Sequence, residues 1–306
     1  MNEFELIRTF FSGDDASARI GVGDDAAILD VPAGAQLAVA VDTVIEDVHF
    51  PAASPADAIG HRALAVNLSD LAAMGARPKW FTLALTLPDL NEAWLHEFSD
   101  GLLTLARRFS VDLVGGDTTR GPLSVTVQAM GFCEQAPIAR SGANVGDSIF
   151  VSGPLGDAAA GLLEFSAEPQ SAKRSDRLLR RFLYPEPRVD LGIALAGYAS
   201  AAIDVSDGLL ADLGHICRAS QCAAEIDVDR LPLSAALTDQ FETPRAVALA
   251  LGGGDDYELC FTAADSADMA HLANCTCIGT VLEGSGVRLT ANGKPVELDE
   301  VGYQHF

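Results

Sequence analysis

Lysine is nearly missing. Lys79, Lys173 and Lys294 are the only three in 306 residues, against 17 arginines. The one Gly-Lys pair, Gly293-Lys294, is followed by Pro295, so no Gly-Lys-Ser/Thr opens a helix and the P-loop class is excluded. There is no Gly-x-Ser-x-Gly elbow, no HExxH and no Gly-x-Gly-x-x-Gly fingerprint, which removes the common hydrolase, zinc-protease and dinucleotide-binding readings. Six cysteines form no CxxC pair and read as free thiols in a reducing compartment; Cys275-Thr-Cys277 has no His or second pair nearby to complete a metal site. Met1 to Phe11 lacks the basic n-region of a secretory signal, and the longest mostly apolar stretch, Leu191 to Ile203, is well short of the ~20 residues that cross a bilayer. No basic patch offsets the acid. Forty-three Asp and Glu against 20 Lys and Arg leave a formal charge of −23, which excludes nucleic acid and anionic membrane surfaces as partners. The expectation is a cytoplasmic protein that must recruit cations if it binds phosphates.

What is present is a folding composition: 49% hydrophobic residues, with 28 Gly and 14 Pro as punctuation, rule out disorder and collagen-like repeats. Short β-branched runs alternate with alanine- and leucine-rich stretches. Leu37–Val41, Trp80–Leu87, Val111–Val114 and Leu123–Phe132 read as strands, and Pro55–Met74 and Leu90–Phe109 as helices. The turn formers of Arg140–Asp147 then precede a new strand, Ser148–Val151, a helix over Gly156–Phe165 and an Arg-rich helix over 173–183 whose arginines read as a solvated face. This order predicts an α/β domain over 1–137 and an α+β domain over 138–306.

The aspartates carry the functional signal. Asp24-Asp25 follow Gly21-Val-Gly23, Asp42 follows a strand, Asp70 closes Val66-Asn-Leu-Ser, and Asp117 follows Gly115-Gly116. Asp204 and Asp207 sit in Ile203-Asp-Val-Ser-Asp-Gly208, and Asp255-Asp256 follow three glycines. A single Gly-Asp at a strand end is an ordinary turn or helix N-cap. Six such motifs in one chain point to a shared site, because ligands of open α/β sheets gather at strand ends. Two carboxylates ~4 Å apart repel by about 4 kcal/mol at an effective dielectric of 20, so a cluster of them calls for a cation. Mg²⁺ prefers oxygen ligands and bridges carboxylates to substrate phosphates. With no covalent nucleophile or general base in view, the expected chemistry is phosphoryl transfer, which rests on positioning and charge neutralisation.

These motifs resemble the thiamine-monophosphate kinase family. Gly23-Asp-Asp-Ala-Ala27, Asp42-Thr-Val-Ile-Glu-Asp-Val-His-Phe50, Ala65-Val-Asn-Leu-Ser-Asp-Leu-Ala-Ala-Met-Gly75 and Gly115-Gly-Asp-Thr-Thr-Arg-Gly121 carry the likeness, with Arg140-Ser-Gly-Ala143, Asp204-Val-Ser-Asp-Gly-Leu209 and Gly253-Gly-Asp-Asp-Tyr-Glu-Leu259. It continues to Gly302-Tyr-Gln-His-Phe306. The resemblance implies a two-domain fold of the aminoimidazole ribonucleotide synthetase type, whose N-terminal strands build a barrel across a homodimer. It implies ATP and thiamine monophosphate as substrates and several Mg²⁺ ions held by Asp25, Asp42, Asp70, Asp117, Asp204 and Asp207. Gly116, Asp117, Arg140 and Ser206 are expected to contact ATP, and His49, Asp255 and Tyr303 the thiamine substrate. The chain departs from the family pattern at Ala40-Val41, where Ser/Thr-Thr is usual, and at Asp255, where Glu is usual. Two other readings stay open on the residues: an aminoimidazole ribonucleotide synthetase-like enzyme, and a non-enzymatic protein that binds divalent cations.

Overall fold

The structure, a computed structural model, describes residues 3–11, 17–167, 177–264 and 275–296. Its contacts divide the chain into two units, Met1–Leu71 with Ala76–Glu134, and Ala72–Gly75 with Gln135–Phe306.

In the first unit, α1 (Glu3–Leu6) runs on as a π-helical turn, Ile7–Phe11, that buries Phe10 and Phe11. Then come β1 (Gln36–Ile45), α2 (Ala56–Ala73), β2 (Arg77–Leu87), α3 (Glu92–Phe109), β3 (Asp112–Arg120) and β4 (Ser124–Cys133). The four strands form one sheet in the order β1-β4-β2-β3, in which only β2 and β3 are parallel. α3 makes that parallel crossover, as it must, since a tight turn cannot connect parallel strands. Its ends are sequence-coded: the Asn91 side chain accepts the Trp94 amide at 3.2 Å, and Ser110 closes the helix in the left-handed conformation. α2 and α3 touch backbone to backbone. A Cβ on Gly101 would lie 1.9 Å from the Asp57 carbonyl oxygen, so only glycine fits there.

The sheet register places Asp42 opposite Val127, Val127 opposite Leu83, and Leu83 beside Gly116. Paired residues share a face. Asp42 therefore lies on the face of the buried Val127 and Leu83, and Asp117, beside Ala84, on the other. Part of that second face is covered by the segment 17–30, where Ala18, Ala27 and Leu29 pack on Trp80, Val114 and Met130. The Trp80 indole donates to Ser17 Oγ at 2.8 Å and fixes the segment. Along β1 the same face stays open, with Leu37, Val39, Val41 and Ile45 all exposed.

The second unit is built on a seven-stranded sheet. In chain order its elements are β5 (Ser148–Val151), α4 (Asp157–Ala167), α5 (Arg177–Leu183), α6 (Val189–Leu195), β6 (Ala201–Asp204), α7 (Leu209–Ser220) and β7 (Ala223–Asp227). They continue with α8 (Ala235–Gln240), α9 (Thr243–Gly252), β8 (Leu259–Ala263), β9 (Thr276–Leu282), β10 (Gly286–Ala291) and β11 (Lys294–Val296). The strand order is β11-β10-β7-β9-β5-β8-β6, with β7 and β10 the parallel pair. Leu209, Leu213 and Ile216 of α7 enter the main core with Ile149, Ile203 and Ile226 of the sheet. That packing holds the N-terminus of α7 beside the end of β6.

Three expectations are corrected. The strand read as ending at Val41 continues to Ile45, and the one read as closing at Gly115-Gly116 continues to Arg120, so Asp42 and Asp117 lie inside strands. Thr43-Val-Ile45 and Thr118-Thr119 extend them because β-branched residues suit a pleated surface. Asp70 lies within α2, inside the helix expected over Pro55–Met74. The Arg-rich helix is described over Arg177–Leu183, and it is not simply a solvated face: the Arg181 side chain is 13% exposed and paired with the fully buried Glu258 at 2.8 Å.

Candidate active site

The expected site residues fall into three groups, two in the first unit and one in the second. Asp25, Gly116 and Asp117 line one cavity of about 660 Å³ with Asp24, Thr82 and the cationic Arg8. Asp24 turns its carboxylate onto the Asp25 amide at 2.9 Å. The cavity lies between the segment 17–30 and the sheet face that carries Asp117.

On the other sheet face Asp42, Asp70 and His49 come together. Burial pushes the Asp42 carboxyl up from its ordinary value, while a hydrogen bond with Asp70 and the charge of His49 pull it back down. Asn67 makes this meeting possible. Its Oδ1 accepts the Asp42 amide at 3.1 Å and its Nδ2 donates to the Ala63 carbonyl at 3.1 Å. One fully buried side chain thereby ties β1 to α2, and Asp70 projects three residues further on, along the same helix face. His49 is set by the turn that follows β1: its Nδ1 accepts the Ile45 amide at 3.1 Å. With Nδ1 taken up as an acceptor, the ring proton is on Nε2.

The third group surrounds the N-terminus of α7. Asp204 ends β6, Ser206 and Asp207 follow, and Gly208 is the N-cap of α7, so no side-chain cap is available to the first turn. Asp212 reaches back past the cap instead: its Oδ2 takes the amides of Ser206 at 3.0 Å and Asp207 at 3.1 Å, in the turn that precedes the helix. Burial, followed by the charges of Asp204 and Asp207, pushes Asp212 up to about 7. The glycine-rich turn lies against the same residues. The Asp255 amide donates to the Ser206 carbonyl at 2.8 Å, and Tyr257 donates its amide to Val205 and its hydroxyl to Asp255 Oδ1 at 3.2 Å. Gly254 has φ +69°, and a Cβ there would stand 2.5 Å from the Ser206 carbonyl oxygen. Below the turn Glu258 is held by Arg181, by Arg188 and by Ser152.

Arg140 is exposed, in a turn whose amides at Gly142 and Ala143 donate to Ser220 Oγ at 3.1 Å each. His215 of α7 feels Arg218, Arg140 and Asp207 together, with burial the main cause of its lowered pKa. Arg140 thus belongs to the surroundings of Asp207. Tyr303 lies outside the described residues.

Sequence reasoning missed Asn67 and Asp212. Asn67 stands inside a motif read only for its aspartate, and its i, i+3 spacing to Asp70 was the available signal. Asp212 looks like any acid in the first turn of a helix, where the macrodipole favours one; nothing local marks it. Among the described residues no three His, Cys, Asp or Glu side chains form a ready-made cation cage. The donors offered are carboxylate oxygens, in pairs such as Asp42 with Asp70. That set fits a hard divalent cation that keeps its waters and takes the rest of its ligands from substrate phosphates.

A family model described as AIR synthase related protein, N-terminal domain, matches residues 23–133, and its C-terminal domain counterpart matches 144–292. The chain is 48% identical over 319 residues to a thiamine-monophosphate kinase of Escherichia coli (strain K12), spanning 99% of this chain and 98% of that one. It is 45% identical to the thiamine-monophosphate kinase of Haemophilus influenzae over 323 residues, 100% of this chain and 98% of the relative. Among solved structures, thiamine-monophosphate kinase from Stenotrophomonas maltophilia K279a superposes with a TM-score of 0.85 at 47% identity, covering 95% of this chain and 96% of that one. AaThiL complexed with AMPPCP and TMP superposes with a TM-score of 0.82 at 33% identity, covering 99% and 95%.

Proposed function

The chain belongs to the AIR synthase related family, among its thiamine-monophosphate kinases, and from that membership we infer that it transfers the γ-phosphoryl group of ATP to the phosphate of thiamine monophosphate, giving ADP and thiamine diphosphate. One observation carries this: the likeness runs at 48% identity over 99% of the chain, with every motif of the aspartate pattern inside it. A relative at 33% identity, solved with AMPPCP and TMP, supports a site that takes an ATP analogue and the acceptor together.

The residues fit a transfer between two phosphates. The acceptor is a phosphate monoester with a second pKa near ~6, so it is already mostly dianionic at neutral pH and needs no general base. The absence of a nucleophile–base pair in the sequence agrees with this. His49 presents Nε2–H to the acceptor phosphate and orients it, while Asp255, braced by Tyr257, holds the thiamine end. Arg140 and Ser206 hold ATP, with the backbone at Gly116-Asp117 left bare for close approach of the phosphates. Tyr303 is assigned to the thiamine end by family resemblance. Asp25, Asp42, Asp70, Asp117, Asp204 and Asp207 would hold Mg²⁺. Bound there, Mg²⁺ would neutralise charge on the two phosphate chains and so permit in-line attack.

Two further features belong to this reading. The exposed apolar row Leu37, Val39, Val41 and Ile45 on an edge strand supports a homodimer in which β1 and its sheet face are covered by a second copy. Among the described residues no helix is long and apolar enough to cross a membrane, and the use of ATP supports a cytoplasmic location. The reading is tested by supplying purified protein with ATP, Mg²⁺ and thiamine monophosphate and separating the products by chromatography. Stoichiometric thiamine diphosphate and ADP are expected; ADP released without thiamine diphosphate would refute it.

A further inference from the structure

We propose that Asp212 is a positioning residue that locks the turn Asp204–Asp207 to the glycine-rich turn Gly253–Asp255. This rests on the kinase reading, in which Ser206 serves ATP, Asp207 the metal and Asp255 the thiamine substrate.

One carboxylate oxygen of Asp212 accepts two consecutive amides, those of Ser206 and Asp207, at 3.0 and 3.1 Å. These amides belong to the turn between β6 and α7, ahead of the glycine N-cap, so the bond ties the turn to the helix. Asp212 is itself anchored, its own amide donating to the Gly208 carbonyl at 3.0 Å, and it is 3% exposed. The peptide unit that Asp212 orients at its amide side also presents the Ser206 carbonyl, which accepts the Asp255 amide at 2.8 Å. The chain of contacts therefore runs from Asp212 through Ser206 to Asp255. The close seat of Gly254 on the Ser206 carbonyl leaves the second turn no slack.

A carboxylate buried at this position has to be matched with donors, and it finds them in the amides of Ser206 and Asp207. A merely structural position in α7 would be filled better by an apolar residue. The bracket makes sense as a way to fix two substrate-facing turns to one helix. Misplacement by about 1 Å costs roughly 10²-fold in rate when groups must be held in register.

Three proteins decide it: wild type, Asp212→Asn and Asp212→Ala. Asparagine keeps an oxygen that can accept both amides, whereas alanine leaves them without a partner. Asp212→Ala is expected to lower kcat by about 10²-fold and to raise KM for both ATP and thiamine monophosphate about tenfold. It should also weaken binding of a fluorescent ATP analogue measured without turnover. Asp212→Asn should stay within about threefold of wild type in every one of these, since its amide oxygen preserves the bracket. Kinetics of Asp212→Ala within twofold of wild type would overturn the inference, and so would an asparagine variant as damaged as the alanine one. Should Asp212→Ala not fold, hydrogen exchange on the wild-type protein is decisive. The amides of Ser206, Asp207 and Asp255 are expected to be protected and to exchange as one unit; free exchange at Ser206 and Asp207 would overturn the bracket. A wild-type protein that makes no thiamine diphosphate refutes the kinase reading instead, and the exchange data then judge Asp212 alone.

Discussion

The side chain with the clearest assigned task is His49. Its Nδ1 is occupied as an acceptor by the Ile45 amide, so the ring is held in one orientation and donates from Nε2. A donor that orients a dianionic acceptor affects binding more than chemistry. Asparagine can also donate a hydrogen bond, so His49→Asn should raise KM for thiamine monophosphate about tenfold while leaving kcat within about threefold, in steady-state assays near pH 7.5. A kcat loss of about 10³-fold with KM unchanged would make His49 a chemical participant. At this scale residue type alone singles out candidates: the aspartates beside glycines, and a histidine seven residues after Asp42. Asn67 and Asp212 escaped because their roles depend on what reaches them in space. The Asp42 amide comes to Asn67 from a strand 25 residues away, and the two amides at Asp212 come back from a turn that only the folded N-terminus of α7 brings within reach.

At the scale of elements, the helix and strand order was legible from periodicity, because α3 and β4 bury one face each and their apolar residues recur accordingly. Where strands stop was not. Gly115-Gly116 looks like a terminator, yet pairing with β2 carries β3 on to Arg120. The shift matters, since it moves Asp117 from a strand end to a sheet face opposite Asp42. The glycine-rich turn shows the other side of element structure, in which stability is traded for placement. Asp256 is wholly buried, accepts the Gly156 amide at 2.8 Å at the start of α4, and is pushed up to about 8, chiefly by burial, with Gly156 and Arg181 pulling it down and Glu258 raising it. In the unfolded chain the same carboxyl titrates near 3.8. Between these values the folded state binds more protons than the unfolded one, so this group's contribution to stability is complete below 3.8 and is lost as pH rises to about 8. Thermal melts at pH 5 and pH 8 should therefore show a larger fall in Tm for wild type than for Asp256→Asn, whose amide cannot ionise. Parallel Tm–pH curves for the two proteins would contradict the assignment.

For the whole molecule, charge and surface set the terms. A chain with a formal charge of −23 handles two polyanionic substrates, and the cation dependence proposed for it follows from that composition. The apolar row on β1 is the feature that charge does not explain. A light-scattering mass of twice the 32.0 kDa chain is expected at micromolar concentration, and Val41→Glu, which places a charge in that row, should shift the protein toward the single-chain mass. A monomeric wild-type protein would remove the dimer from the account. The central claim is direct transfer between phosphates, organised by carboxylates and metal with no covalent relay through the protein. The measurement closest to it is a rapid-quench single turnover with γ-labelled ATP, excess enzyme, Mg²⁺ and thiamine monophosphate, in which label is followed in protein, inorganic phosphate and product. The account predicts that label passes from ATP to the terminal phosphate of thiamine diphosphate without a lag and without labelled protein at any time. Labelled protein that forms before product and decays as product appears would contradict it.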